Sequence, residues 1–293
     1  MQAYGSVEAP SPALKGAAQV LTSLGLLVAG LATCLPVYGG WFSGSVEDLF
    51  RFGMPLLWGG LALVTTRSVR LSPFRVPLLC LFGVSLGLAL AHVVDGMPVD
   101  LLGLSVDTPK GAMVDKIFGE VIPMSAAMLL AAYLARLSLK SLGLRGGRVW
   151  LSLELGLLVS VPIMLFFVFD PSGTNKTVWA NPAATLLSWF PWIAVFSIAN
   201  GFNEELWFRG LWLAGFGQAI GRTAAMHVTS WAFCLMHVIV YWQEPTMILM
   251  LTPVWLYMGY AFALIMRKTG SLWGPVLAHA IADVIFMYIY FSA

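Results

Sequence analysis

Long apolar runs along the whole chain are the feature that most constrains its fold. Of the 293 residues, 59% are hydrophobic and only 10% are charged, whereas roughly a quarter are charged in an ordinary soluble domain. A helix needs about 20 mainly apolar residues to cross a bilayer. We identify nine candidate spans, at 17–38, 52–66, 76–94, 117–135, 149–169, 186–217, 224–242, 246–266 and 273–291. The sequence therefore predicts an all-α, polytopic membrane helix bundle with about eight to nine transmembrane helices.

Loop charges predict the orientation of this bundle. If nine spans alternate, most of the basic loop residues fall on one side of the membrane, namely Lys15, Arg67, Arg70, Arg75, Arg136, Lys140, Arg145, Arg148, Arg222, Arg267 and Lys268. The opposite side carries most of the acids, namely Glu47, Asp48, Asp95, Asp100, Asp107, Asp115, Asp170 and Glu244. Cytoplasmic loops are enriched in Lys and Arg. We therefore predict a cytoplasmic N-terminus and a C-terminus outside.

Composition also excludes two classes of partner or site. The net charge of +2 is small and no basic stripe with interleaved aromatic residues is present, so we expect no nucleic-acid partner. The three cysteines, Cys34, Cys80 and Cys234, lie in apolar runs without CxxC spacing. This pattern indicates buried thiols and neither a disulfide framework nor a zinc knuckle.

A small set of polar residues remains inside the predicted spans. Charged side chains within a membrane are costly, and they commonly mark functional sites. Most of this set falls in three helices in the last third of the chain. Its members are His92, Glu120, Glu154, Glu204, Glu205, Arg209, His237, His279 and Asp283.

The spacing of these residues predicts a common site. Glu205 and Arg209 are four residues apart and can pair on one helix face, whereas Glu204 points about 100° away. The segment 217–222 predicts a turn between two antiparallel helices. Because Glu204 and His237 lie at equal distances from that turn, they should have similar depth. His279 enters from the same side, so a glutamate and two histidines can meet in one water-filled cavity.

Three motifs occur in order on these helices. They are "EELWFR" from Glu204 to Arg209, "FCLMH" from Phe233 to His237, and "HAIAD" from His279. They resemble the EExxxR, FxxxH and HxxxN motifs of the CAAX protease and bacteriocin-processing (CPBP) family, also called the ABI family, which includes the Ras-converting CAAX endopeptidases. The resemblance covers roughly residues 186 to 291. We predict a cytoplasmic tail at 1–16, N-terminal transmembrane helices of unassigned role at 17–180, and a CPBP-like catalytic core at 181–293.

The resemblance implies a glutamate-dependent intramembrane endopeptidase that acts on a membrane-anchored protein or peptide. It implies that Glu204 is the general base and that His237 helps hold the attacking water. It also implies that His279 and Asp283 stabilise the oxyanion. Glu205 and Arg209 are then expected to form a structural ion pair, with Phe233 as a further support.

Zinc is the main mechanistic alternative, because Glu204, His237, His279 and Asp283 are all possible ligands. No HExxH motif is present, and the resemblance points to catalysis without metal. We therefore predict no metal and no other cofactor. Two other function classes stay open, a proton-coupled transporter and a non-catalytic scaffold of the same fold. The lack of inverted repeats counts against the first, and the intact motifs count against the second.

Asp283 departs from the family motif, which commonly has Asn at this position. An Asn side chain can donate a hydrogen bond to an oxyanion, whereas an ionised Asp can only accept one. Asp283 therefore either stays protonated and donates as Asn does, or stays ionised and holds His279, one turn away, as a charged donor. We expect the second arrangement, because a carboxylate and an imidazole at this spacing can pair.

Overall fold

The computed structural model describes residues 14–169 and 182–292, and within these residues every regular element is helical. The predicted all-α bundle is thereby confirmed. The α-helices are α1 (Gly16–Tyr38), α2 (Ser45–Thr65), α3 (Arg75–Val94), α4 (Met97–Leu102), α5 (Pro109–Val114), α6 (Ile122–Leu134), α7 (Val149–Phe169), α8 (Pro182–Glu205), α9 (Leu213–Ile220), α10 (Arg222–Val238), α11 (Pro245–Thr269) and α12 (Trp273–Ser292).

Two π-helical segments join neighbouring helices into longer rods. Asp115–Val121 continues α5 into α6, and Leu206–Trp212 continues α8 into α9. Short 3-10 turns precede α3 and follow α10. The run 186–217, which is unusually long for one span, therefore contains a helix whose winding changes directly after Glu205.

Seven of the described helices are long and apolar enough to cross a membrane. They are Gly16–Tyr38, Ser72–Leu102, Pro109–Leu134, Val149–Phe167, Arg222–Tyr241, Pro245–Thr269 and Trp273–Phe291. The two other predicted spans, 52–66 and 186–217, correspond to α2 and to the rod from α8 to α9. Most of the predicted tail 1–16 and the predicted boundary at residue 180 lie outside the described residues. The division of the chain into a tail, N-terminal helices and a catalytic core stays a prediction.

Backbone contacts bring the basic loops together at one end of the bundle. Leu14 donates its N–H to the carbonyl of Ala219, and the turn before α3 packs against α9. At the same end, Arg148 donates its backbone N–H to Thr269. A surface cavity at this end is lined by Lys140, Arg222 and Arg267 together. These contacts place the basic loops of the described residues at one end of the bundle, while the orientation of that end stays a prediction.

A close approach of two helices fixes the beginning of α12. The Oγ of Ser152 in α7 accepts a hydrogen bond from the N–H of Gly274 at 2.9 Å and donates one to the carbonyl of Ser271 at 3.1 Å. A Cβ atom on Gly274 would lie 2.0 Å from the carbonyl oxygen of Ser152. Small residues allow membrane helices to approach in this way. The contact sets the position of His279, about one and a half turns further along.

Candidate active site

Three helices bring Glu204, His237 and His279 together. The Oε2 atom of Glu204 in α8 lies 3.3 Å from Nε2 of His237 in α10 and 3.8 Å from Nε2 of His279 in α12. The side chains of Glu204 and His237 are each 19% exposed, whereas that of His279 is 2% exposed. His279 is therefore buried, whereas Glu204 and His237 are partly accessible from a cavity. The spacing of the motifs predicted that the three residues meet in this way.

The ring of His237 is fixed by its own helix and by two aromatic side chains. Its Nδ1 lies 2.8 Å from the carbonyl oxygen of Phe233. A carbonyl only accepts, so Nδ1 carries the proton in this contact and Nε2 faces Glu204. The rings of Phe233 and Trp255 each lie 4.3 Å from the imidazole, measured between centroids. Phe233 thus contacts His237 through both its carbonyl and its ring.

A buried chain of charged groups holds His279. Oε1 of Glu205 accepts from Nη1 of Arg209 at 2.9 Å and from Nδ1 of His279, also at 2.9 Å. The side chains of Glu205 and Arg209 have no exposed surface. Nη2 of Arg209 donates to the carbonyls of Met258 and Gly259 in α11, both at 3.3 Å. Because Nδ1 is bound to Glu205, the other ring nitrogen of His279 faces Glu204.

Aromatic rings enclose the guanidinium of Arg209. Its Cζ lies 4.2 Å from the ring centroid of Phe233 and 5.3 Å from that of Phe262. A guanidinium over an aromatic face is attracted by the electron-rich face of the ring. Phe233 therefore contacts both Arg209, which belongs to the charged chain that holds His279, and His237.

Asp283 contacts the site differently from the expectation. Its Oδ1 lies 3.8 Å from Nε2 of His279, beyond hydrogen-bond distance. Its Oδ2 accepts a hydrogen bond of 2.8 Å from Nδ2 of Asn200. The four-residue spacing does place Asp283 and His279 on one face. However, the imidazole is turned so that Glu205, and not Asp283, makes the hydrogen bond to it.

A cavity of about 270 Å³ opens beside the cluster. Its wall includes Tyr38 from α1 and Lys116 from the first π segment, so the N-terminal helices contribute to it. Nζ of Lys116 lies 2.7 Å from Oε2 of Glu120. Tyr38, Lys116 and Asn200 are not among the site residues predicted from the sequence. The available signal was that Asn200 is polar and lies one turn before Glu204 in an apolar run.

The donor atoms of the cluster also fit a metal ion. One ligand atom each of Glu204, His237 and His279 lies within 4.8 Å of the others. Both histidines bind a carbonyl or carboxylate through Nδ1, as zinc-binding histidines generally do. A zinc ion held by these three residues would activate a bound water. Zinc therefore stays the alternative to catalysis by Glu204 alone.

Comparison with known proteins identifies the C-terminal part of the chain. Residues 186–285 match the family model named Rce1-like, type II CAAX prenyl endopeptidase Rce1-like. This part of the chain is therefore similar to the CAAX protease family. The match confirms the recognition from the motifs and includes most of α8, all of α10 and most of α12, but neither Tyr38 nor Lys116. No curated protein and no solved structure matches the chain. With seven long apolar helices in the described part of the chain, the protein is an integral, multi-pass membrane protein.

The buried charged chain predicts a large stability loss for Glu205→Ala. The substitution leaves the guanidinium of Arg209 buried without its carboxylate, which costs about 3–5 kcal/mol in comparable cases. We expect a clear fall in the melting temperature of the detergent-purified protein.

Glu47→Ala is the matched control, since Glu47 forms the same four-residue pair with Arg51 at 2.6 Å but with side chains 27% and 15% exposed. Loss of a pair near the surface costs about 1 kcal/mol or less. Equal melting temperatures for the two variants would contradict the assignment of Glu205 as a support. A Glu205→Ala protein that is stable but inactive would instead exchange the roles of the two glutamates.

Proposed function

We propose that the protein is an intramembrane endopeptidase that cleaves a membrane-anchored protein or peptide with water activated by Glu204. The observation that carries this proposal is the approach of one Glu204 oxygen to Nε2 of both His237 and His279 beside a cavity. The match to the Rce1-like family supports protease activity at the level of the family. A transporter has no need for two motif histidines that converge on one carboxylate.

The proposed reaction begins with a water that binds to both Glu204 and His237 from the side of the cavity. Glu204 takes a proton from this water, and the oxygen attacks the carbonyl carbon of the scissile peptide bond. The oxyanion that forms receives a hydrogen bond from Nε2 of a protonated His279, whose Nδ1–H is donated to Glu205. The C–N bond then breaks, and Glu204 returns the proton to the leaving amine. The products are a new carboxylate and a new amine.

Loss of any of the three central side chains should abolish most of the activity. For Glu204→Ala, His237→Ala and His279→Ala we expect turnover to fall at least about a hundredfold, the scale of a positioned acid–base or oxyanion group. His227→Ala is a suitable control, because His227 is also in α10 but is exposed and bonds Tyr260. If one of the three variants cleaves at a near-normal rate, the substituted residue has no catalytic role.

Comparative proteomics supplies the substrate for these measurements. Membrane proteins from cells that carry the wild type are compared with those from cells that carry Glu204→Gln. We expect an uncleaved precursor to accumulate in the variant. If Glu204→Gln is folded and inserted but no precursor accumulates, the scaffold or transporter alternative is favoured.

We propose that catalysis needs no metal. The family resemblance and the absence of an HExxH motif support this choice, whereas the spacing of the ligand atoms is compatible with either mechanism. Purified protein should contain less than stoichiometric zinc, and its activity should survive prolonged chelation. One tightly bound zinc per chain that is lost in both Glu204→Ala and His279→Ala would establish the metalloprotease alternative.

We further propose that the N-terminus is cytoplasmic and that the site opens towards the opposite face. The cavity is lined by Tyr38 at the end of α1 and by Tyr241 directly after α10. Both residues adjoin the less basic end of the bundle, far from the basic loops that are expected in the cytoplasm. Cleavage then occurs in the half of the membrane that faces away from the cytoplasm.

Reporter fusions in a bacterial host test this orientation. Alkaline phosphatase fused to the C-terminus should be active, because it needs export, and green fluorescent protein at the same position should stay dark. The same two reporters fused after Lys140, in a loop of the basic end, should give the reverse result. Bright fluorescence from the C-terminal fusion would invert the proposed orientation and the side of cleavage.

A further inference from the structure

Asn200 lies between the two carboxylates of the cavity. Its Nδ2 is 3.2 Å from Oε1 of Glu204 and 2.8 Å from Oδ2 of Asp283. The residue is 7% exposed, so little solvent replaces these bonds. An amide nitrogen carries two hydrogen atoms and can serve one carboxylate with each. Both hydrogen atoms of the Asn200 amide are thus donated to carboxylates, one to Glu204 in α8 and one to Asp283 in α12.

The two contacts determine which carboxylate oxygens are left for chemistry. With Oε1 of Glu204 and Oδ2 of Asp283 bound to Asn200, the remaining oxygens face His279. Oε2 of Glu204 and Oδ1 of Asp283 each lie 3.8 Å from its Nε2. Two carboxylates that share a site repel one another. A neutral donor between them holds both acids in place without adding charge.

We propose that Asn200 is a positioning residue for the reaction, which acts by orienting Glu204 and Asp283 towards His279. The inference rests on the proposed endopeptidase function. Asn200 belongs to none of the three motifs. Its side chain nevertheless contacts Asp283, the residue at the last motif position. Because the amide nitrogen of Asn200 binds the two acids, its loss should mainly slow turnover and leave substrate affinity almost unchanged.

A neighbouring asparagine provides a matched comparison. Asn203 is also on α8 and is 1% exposed. Its Nδ2 lies 3.3 Å from Oε1 of Glu120, and its Oδ1 accepts from Ser125 at 3.4 Å. Asn203 does not belong to the wall of the cavity. Replacement of either residue by alanine removes a buried amide, but only Asn200→Ala removes one that contacts the acids of the cavity.

The first experiment compares Asn200→Ala with Asn203→Ala in purified protein. For Asn200→Ala we expect kcat to fall roughly tenfold to a hundredfold, as for the loss of hydrogen bonds to charged groups, with little change in KM. Asn203→Ala should lower the melting temperature but keep kcat near that of the wild type. Equal kcat values for both variants, after correction for the folded fraction, would overturn the proposal.

A second pair of variants keeps the test valid if Asn200→Ala does not fold. Asn200→Asp has the same shape but places a third carboxylate beside Glu204 and Asp283. The double variant Asn200→Asp/Asp283→Asn restores an amide–carboxylate contact and returns the number of acids to two. We expect the double variant to recover at least about tenfold in kcat over Asn200→Asp, because contacting residues are not additive. If the loss of kcat in the double variant equals the sum of the losses in the two single variants, expressed as free energies, the proposal is overturned.

The outcomes separate this inference from the proposed function. Cleavage by the wild type, none by Glu204→Ala and full kcat for Asn200→Ala would refute the role of Asn200 alone. Absence of cleavage by the wild type, with intact and inserted protein, would refute both.

Discussion

The buried ion pair between Glu205 and Arg209 is the interaction on which the arrangement of the site depends. Neither side chain has exposed surface, and breaking such a pair leaves an uncompensated charge in a low-dielectric interior. Arg209 also binds two backbone carbonyls of α11, while Glu205 binds His279 of α12. Three helices are thereby tied to one charged chain. The contact between Glu205 and His279 also orients the imidazole that faces Glu204.

A change of helical winding accompanies this chain. The π segment Leu206–Trp212 begins directly after Glu205, contains Arg209, and is buried at every residue. Such segments are rare in proteins and frequently occur at functional sites. The other side of the cavity comes from Tyr38 and Lys116, outside the region matched by the family model. The N-terminal helices therefore complete a cavity whose central residues lie in the C-terminal part of the chain.

The sequence was sufficient to predict the helical class and the convergence of Glu204, His237 and His279, because apolar runs and helical spacing encode both. It was not sufficient to predict the contacts of Asp283. A four-residue spacing shows that Asp283 shares a face with His279, but the rotation of the imidazole depends on a carboxylate from another helix. Asn200 was missed for the same reason, since its partner Asp283 is 83 residues away and only packing brings the two together.

The central claim is that water activated by Glu204 attacks the substrate directly, without a covalent enzyme intermediate. Hydrolysis of the identified precursor in ¹⁸O-labelled water with added hydroxylamine tests it most directly, with both products analysed by mass spectrometry. An acyl-enzyme reacts with hydroxylamine as well as with water, since it is an activated carbonyl. We expect a labelled carboxylate at the new C-terminus and no hydroxamate. A hydroxamate product would show an acyl-enzyme, with Glu204 or the thiol of Cys234 as the nucleophile, and would contradict the account.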